Sequence, residues 1–342
     1  MLIYRPRQKR ETSDIYVPNP KKSGEFKTSP NVATWAAGYS LFSAQGKLNK
    51  DKRSVSEMPR VIAREGMGFL LKLQLASDLT AQQQNEIEAA LRWWSSFGGV
   101  GARNRRGLGA LLVIGLEPIN EKEVLEKGGR LALLSSVNNP THAWQTAIAK
   151  LKGFRQGFGA GRNPPAPESA SPAGRSLWPE AETLRSLSGQ TCPKHAGRLV
   201  LSDGFPRAAF GLPIVFHFKD TPSEKDQKSP GYSRNNFDPE DHILEPEDIS
   251  PTNKRDRMAS PLILRPYWNG TQWQAAALLL PGWEKALDQP LKFKGQNYAP
   301  AHWPADSKSR QEKARHIQPM MKGGALRADD PLSAFMHYFE KG

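Results

Sequence analysis

The sequence holds a single cysteine, Cys192, among 342 residues. One thiol cannot close an internal disulfide or supply a Cys-x-x-Cys metal knuckle, so a disulfide-stapled secreted scaffold and a zinc ribbon are excluded. Long apolar runs are also missing. None approaches the roughly 20 residues that cross a bilayer, and Met1 to Arg10 has no apolar stretch behind its basic residues. A reducing cytoplasm is the expected home, with no membrane partner. The seven histidines (142, 195, 217, 242, 302, 316 and 337) show no His-x-x-x-His or Glu-x-x-His spacing, and there is no serine nucleophile elbow. Neither a metal nor a cofactor is expected, and acyl chemistry has no support.

Acidic residues are in short supply, 34 against 48 Lys and Arg, which leaves a net charge of +14 and a pI near 9.8. That balance favours a polyanionic partner, nucleic acid first. It is unevenly placed, since residues 1–64 carry 13 Lys/Arg and 5 Asp/Glu. The excess reads either as an electrostatic footprint or as a solvated basic tail. What the chain does have is enough apolar material for cores: 38% hydrophobic residues, with 9 Trp, 7 Tyr and 14 Phe. Its length suits two ordinary domains or one large one.

Residues 1–30, rich in Pro, Lys, Ser and Asn, read as an extended arm. Trp35, Tyr39 and Phe42 sit among small residues before the basic stretch Lys47 to Arg53, which predicts a strand entering a positive loop. Gly68 to Ala76 predicts a half-buried strand, because Leu71, Leu73 and Leu75 alternate with Lys72 and Gln74. Thr80 stands at capping-box spacing from Gln83, and Ile87, Leu91 and Trp94 recur at helical intervals, predicting a helix over 81–96. The glycine-rich stretch 97–109 follows, then a short apolar strand, Ala110 to Ile114. Strand, helix, loop, strand is half of a ferredoxin-like βαββαβ unit.

Further on, a helix is expected over His142 to Leu151, a loop over Gly153 to Gly174, and strands over Leu199 to Ser202 and Gly211 to Phe218. Pro261 to Arg265 and Gln272 to Leu280 flank Asn269-Gly270, a hairpin signal. Residues 220–249, with nine acids, three basic residues and several prolines, read as a solvated insertion or mobile loop. Pro331 to Glu340 predicts a terminal amphipathic helix through Leu332, Phe335, Met336 and Phe339. The fold class is α+β with antiparallel sheets, as tandem ferredoxin-like domains over 1–118 and 119–342.

The segment Phe-Gly-Gly-Val-Gly-Ala-Arg-Asn-Arg-Arg-Gly-Leu-Gly, residues 97–109, is the most informative. Gly98, Gly99, Gly101 and Gly107 let the backbone approach a ligand, and Arg103, Arg105 and Arg106 bring guanidinium forks for phosphates. No Gly-Lys-Ser/Thr closes it, and it follows a helix, so it is neither a Walker loop nor a dinucleotide fingerprint. Its readings are an RNA-phosphate loop or a plain helix-terminal turn with surface arginines.

This string resembles the glycine-rich loop of the RAMP superfamily of CRISPR systems. Three later strings, 174–181 (Gly-Arg-Ser-Leu-Trp-Pro-Glu-Ala), 205–214 (Phe-Pro-Arg-Ala-Ala-Phe-Gly-Leu-Pro-Ile) and 257–266 (Arg-Met-Ala-Ser-Pro-Leu-Ile-Leu-Arg-Pro), are similar in that order to the head-subunit family of the type III-B Cmr effector complex. The family's usual opening, a Thr-Pro strand and a first helix, is not found before residue 31, so the first domain reads as incomplete. The resemblance implies a non-catalytic, RNA-binding role in antiviral defence, with CRISPR RNA, target RNA and other Cmr subunits as partners. It carries over the loop residues together with Arg175, Trp178, Arg207, Arg257 and Arg265, to neutralise phosphates or stack on bases. Trp178 reads equally as a core anchor, and Arg207 and Arg265 as structural ion-pair partners. The alternative is a metal-independent endoribonuclease that processes CRISPR RNA with His217 or His195 beside an arginine. Asp203 and Asp220 are loop acids of the same standing.

Overall fold

The computed structural model describes residues 2–3, 9–10, 15–19, 26–32, 36–41, 44–49, 54–163, 175–190, 192, 204–218, 220–297 and 300–342. It is a mixed α+β structure of small antiparallel sheets, and the chain divides into two compact units. One comprises Met1–Asn120, Leu133–Ala149 and Leu264–Ala276, and the other Glu121–Ala132, Lys150–Ile263 and Ala277–Gly342.

In the first unit, short strands pair as two-stranded ladders: β1 (Leu2–Ile3) with β8 (Leu70–Leu71), β2 (Lys9–Arg10) with β7 (Ile62–Ala63), β3 (Tyr16–Pro18) with β4 (Phe26–Thr28), and β5 (Lys47–Leu48) with β6 (Val55–Glu57). The long helix α2 (Ala81–Phe97) starts where the sequence placed it. Gln83 N donates to Thr80 Oγ1 at 3.3 Å and Thr80 N donates to Gln83 Oε1 at 2.9 Å, so two orphan donors of the first turn are satisfied. The buried end of α2 is its last turn, where Phe97 stacks on Tyr267 at 5.9 Å and Ser96 Oγ accepts from Ile119 N.

Three expectations for this unit are corrected. The Gly68 to Ala76 strand shrinks to Leu70–Leu71, with Leu73 and Leu75 about half exposed. Ala110 to Ile114 enters no strand, and Ile114 is 92% exposed. Alternation specifies a face, but a strand also needs a neighbour to bond with and a layer to bury that face. Around Tyr39 the chain forms a helical turn, α1 (Gly38–Leu41), rather than a strand. Trp35 and Phe42 lie outside the described residues.

β9 (Arg130–Val137), β12 (Leu262–Trp268) and β13 (Trp273–Leu279) form one three-stranded sheet in the order β12, β13, β9. The expected hairpin links β12 to β13. Asn269 Oδ1 accepts from the N–H groups of Thr271 and Gln272, and Gly270 supplies φ of +102°, which the turn requires. Next to β9 in sequence are α3 (Glu121–Glu126) and α4 (Pro140–Gln156), the latter running five residues beyond the expected end at Leu151.

In the second unit, α5 (Glu180–Ser188) precedes a sheet in the order β10 (Ile214–Phe216), β11 (His242–Pro246), β14 (Leu291–Phe293). Leu184, Phe205, Leu212, Phe216, Leu244 and Phe293 form its core. β11 is the central strand and comes from the segment read as a solvated loop. Buried Leu244 within it outweighs the flanking acids, which the fold accommodates by pairing Asp238 with Arg185 at 2.8 Å. The rest of that segment holds two short helical turns, α6 (Glu224–Gln227) and a 3-10 turn, Arg234–Asn236. α7 (Ser307–Arg315), the β15 (Met321–Lys322) and β16 (Ala325–Leu326) ladder, and α8 (Pro331–Lys341) complete the unit. α8 buries Leu332, Phe335, Met336 and Phe339 as its pattern predicted. The Leu199 to Ser202 strand and residues 164–174 of the expected 153–174 loop lie outside the described residues, while 153–156 belong to α4.

Candidate nucleic-acid interface

The glycine-arginine loop begins where α2 ends. Gly98 N donates to Trp94 O at 2.8 Å, and a Cβ on Gly98 would lie 2.6 Å from Trp94 Cδ1. The loop then closes on itself, with Val100 N donating to Gly109 O at 3.0 Å. At that closure the two strands of chain pass so close that a Cβ on Gly99 would sit 2.6 Å from Gly109 O, and one on Gly109 1.9 Å from Val100 O. No other residue type fits without moving the backbone. Gly101, at φ +94°, has open space above it.

Between these shoulders lie the three arginines. Arg103 adopts φ +67°, an uncommon left-handed conformation outside glycine, and opens a one-turn 3-10 helix, Asn104–Arg106. Its guanidinium is half buried, and desolvation lowers its pKa against the opposing pull of Tyr16 and Tyr39. Arg105 is exposed. Arg106 is partly buried, donates to the Arg105 carbonyl, and its own carbonyl accepts from Trp144 Nε1 at 2.6 Å. Gly107 closes the turn at φ +80°, where a Cβ would meet Trp144 Cδ1 at 2.6 Å and Leu264 O at 3.0 Å.

The loop is therefore a compact, self-closed turn that carries three arginines, with Arg105 exposed and Arg103 and Arg106 partly buried. Guanidinium groups on such a turn can bind phosphates through charge and fork geometry, without readout of base identity.

The remaining expected contacts separate. Arg257 is exposed, and its Nε stands 4.0 Å from Asp256 Oδ2. Arg175 is partly exposed, and its carbonyl accepts from Asn163 N. Arg207 is committed to the fold: its N–H donates to Glu180 Oε1 at 2.7 Å and its Nε lies 3.1 Å from Oε2 of that fully buried carboxylate. Trp178 is 1% exposed and packs edge-on against Phe154 at 5.4 Å, so it is a core anchor and no platform for a base. Arg265 is likewise internal, at 1% exposure, and all of its hydrogen bonds go to main-chain carbonyls. Burial pushes its pKa down to about 9, which leaves it protonated at neutral pH.

Sequence reasoning missed Trp144 and Gly109. A tryptophan inside a predicted helix signals an indole N–H that needs a partner, but nothing local names the Arg106 carbonyl. Of the candidate histidines, His195 lies outside the described residues, as does Asp203. His217 is exposed, with Nδ1 2.7 Å from Asp241 Oδ2. Among the described residues, no cluster of His, Cys, Asp or Glu suited to a metal occurs, and no helix is long and apolar enough to cross a membrane.

No curated protein and no solved structure matches the chain. A family model does match, that of the RAMP superfamily, over residues 12–112, a span that contains the whole glycine-arginine loop; that family is associated with RNA binding and CRISPR type III effector complexes.

Proposed function

We propose that this chain is a non-catalytic RNA-binding subunit of a type III-B CRISPR RNA-guided complex, built on tandem ferredoxin-like domains. It holds the 3′ region of the CRISPR RNA, the target RNA or both, beside other Cmr subunits. The observation that carries the reading is the self-closed loop at 98–109 with its arginines, inside a segment that matches the RAMP family. Arg103, Arg105 and Arg106, with Arg175 and Arg257, are the proposed phosphate contacts. Gly98, Gly99, Gly101 and Gly107 shape the backbone that presents them. The net charge of +14 supplies the long-range attraction.

The test is binding of the purified chain to labelled single-stranded RNA across a salt series, without metal. Each neutralised phosphate contributes a slope of about −0.7 in log K against log salt. Replacing Arg103, Arg105 and Arg106 together by alanine is expected to flatten that slope by roughly two units. An unchanged slope would remove the loop from the interface.

A second reading, a metal-independent endoribonuclease, is favoured by the contact between His217 and Asp241, since a carboxylate on one ring nitrogen orients the other for proton transfer. The same lanes decide it. Cleavage products that vanish in His217→Ala would establish the enzyme, and intact retained RNA supports the binding subunit.

A further inference from the structure

Entry to and exit from the loop converge on one side chain. Arg265 Nη1 donates to Gly98 O at 2.5 Å, and Nη2 reaches Ser95 O at 3.3 Å and Leu111 O at 3.4 Å. Nε donates to Pro266 O at 3.0 Å. Ser95 and Gly98 lie at the end of α2, and Leu111 just beyond the loop, so a single guanidinium spans both shoulders. A cation is favoured there, where the last carbonyls of a helix would otherwise lack donors. The loop's far side is held by Trp144 Nε1 on Arg106 O and by the absence of a side chain at Gly107.

We propose that Arg265 is a positioning residue for RNA: it touches no nucleotide, but fixes the two ends of the 98–109 loop so that the arginines on it meet phosphates in a preset geometry. The inference rests on the RNA reading of the loop. Its physical content is preorganisation, because a loop already held in its bound shape does not pay the ordering cost on binding. Lysine cannot substitute, since a point ammonium does not bridge carbonyls that the planar fork reaches from separate nitrogens.

The experiment uses the full chain, labelled oligouridine, and Arg265→Lys and Arg265→Met variants. Affinity per active molecule is expected to fall about tenfold in both, the scale of reordering one or two long side chains. The salt slope is expected to stay at its wild-type value, because the same phosphates are contacted in the end. Amide hydrogen exchange is expected to accelerate in residues 98–111 and not in α8. Wild-type affinity in a variant whose loop exchanges faster would overturn the proposal, as would loop exchange that does not change. Failure of the RNA reading has a separate signature, an Arg103, Arg105 and Arg106 triple alanine variant with wild-type affinity and slope. Should the Arg265 variants not fold, Trp144→Phe removes the bond to Arg106 O while keeping an aromatic ring in the buried site. A smaller loss of affinity is then expected, and wild-type affinity with faster loop exchange would again overturn the idea.

Discussion

Glu180 is the most exacting single residue in the second unit. Its carboxylate is fully buried, and its partners are the Arg207 N–H and guanidinium. Removing one member of such a pair leaves an uncompensated charge in the core. Arg207→Ala is therefore expected to destabilise the chain by about 3 kcal/mol, the low end of the usual range because Arg207 itself keeps some contact with water. Adding Glu180→Gln should recover a large part of that loss, and a thermal-denaturation double-mutant cycle measures the coupling. The same pair shows what the sequence could and could not say about individual residues. Arg207, Arg265 and Trp178 stand out by residue type, and type alone leaves each open to contact RNA or to hold the fold. The decision rests on partners 24 to more than 150 residues away, such as Phe154 for Trp178, Glu180 for Arg207 and Gly98 for Arg265. Spacing along the chain does not encode those. Arg103, Arg105 and Arg106 could be singled out as candidates because their setting, four closely spaced glycines after a helix, is local.

At the scale of elements, what was readable is what carries its own signal. The capping box of α2, the Asn-Gly hairpin and the apolar stripe of α8 each fall where expected, because each depends on residues within a few positions of one another. The 68–76 and 110–114 strands failed because pairing is a long-range property, and β11 was hidden because acidic neighbours mask a short buried strand. Helix α8 also yields a pH prediction. Its N-cap, Asp330, accepts from Ser333 N at 2.8 Å but is 4% exposed, and burial, aided by neighbouring Asp329 and opposed by the bonds from Ser333, holds its carboxyl above the ordinary carboxylate range. A pKa raised by folding contributes stability that is full below the unfolded value, about 3.9, and is lost as pH rises through the folded one. Asparagine keeps the capping acceptor without the charge. Asp330→Asn is thus expected to be the more stable protein at pH 7, with an advantage that fades on acidification toward the ordinary aspartate range. Denaturant titrations at the two pH values check it, and an advantage that grew in acid would contradict it.

At the scale of the molecule, the positive charge and the exposed apolar side chains of the first unit act against each other. Leu70, Leu73, Leu75, Leu112 and Ile114 are exposed, and the backbone at 72–76 and 112–114 enters no strand. At low ionic strength a charge of +14 keeps copies of the chain apart. In 1 M salt the screening length falls to about 3 Å, and that repulsion is gone while the exposed apolar side chains remain. Static light scattering is expected to report net repulsion between molecules in dilute buffer and net attraction in concentrated salt, and Leu73→Lys with Ile114→Lys should weaken that attraction by removing exposed apolar surface. The purification step that strips nucleic acid from a basic protein, a high-salt wash, is the one under which this chain is expected to be least colloidally stable.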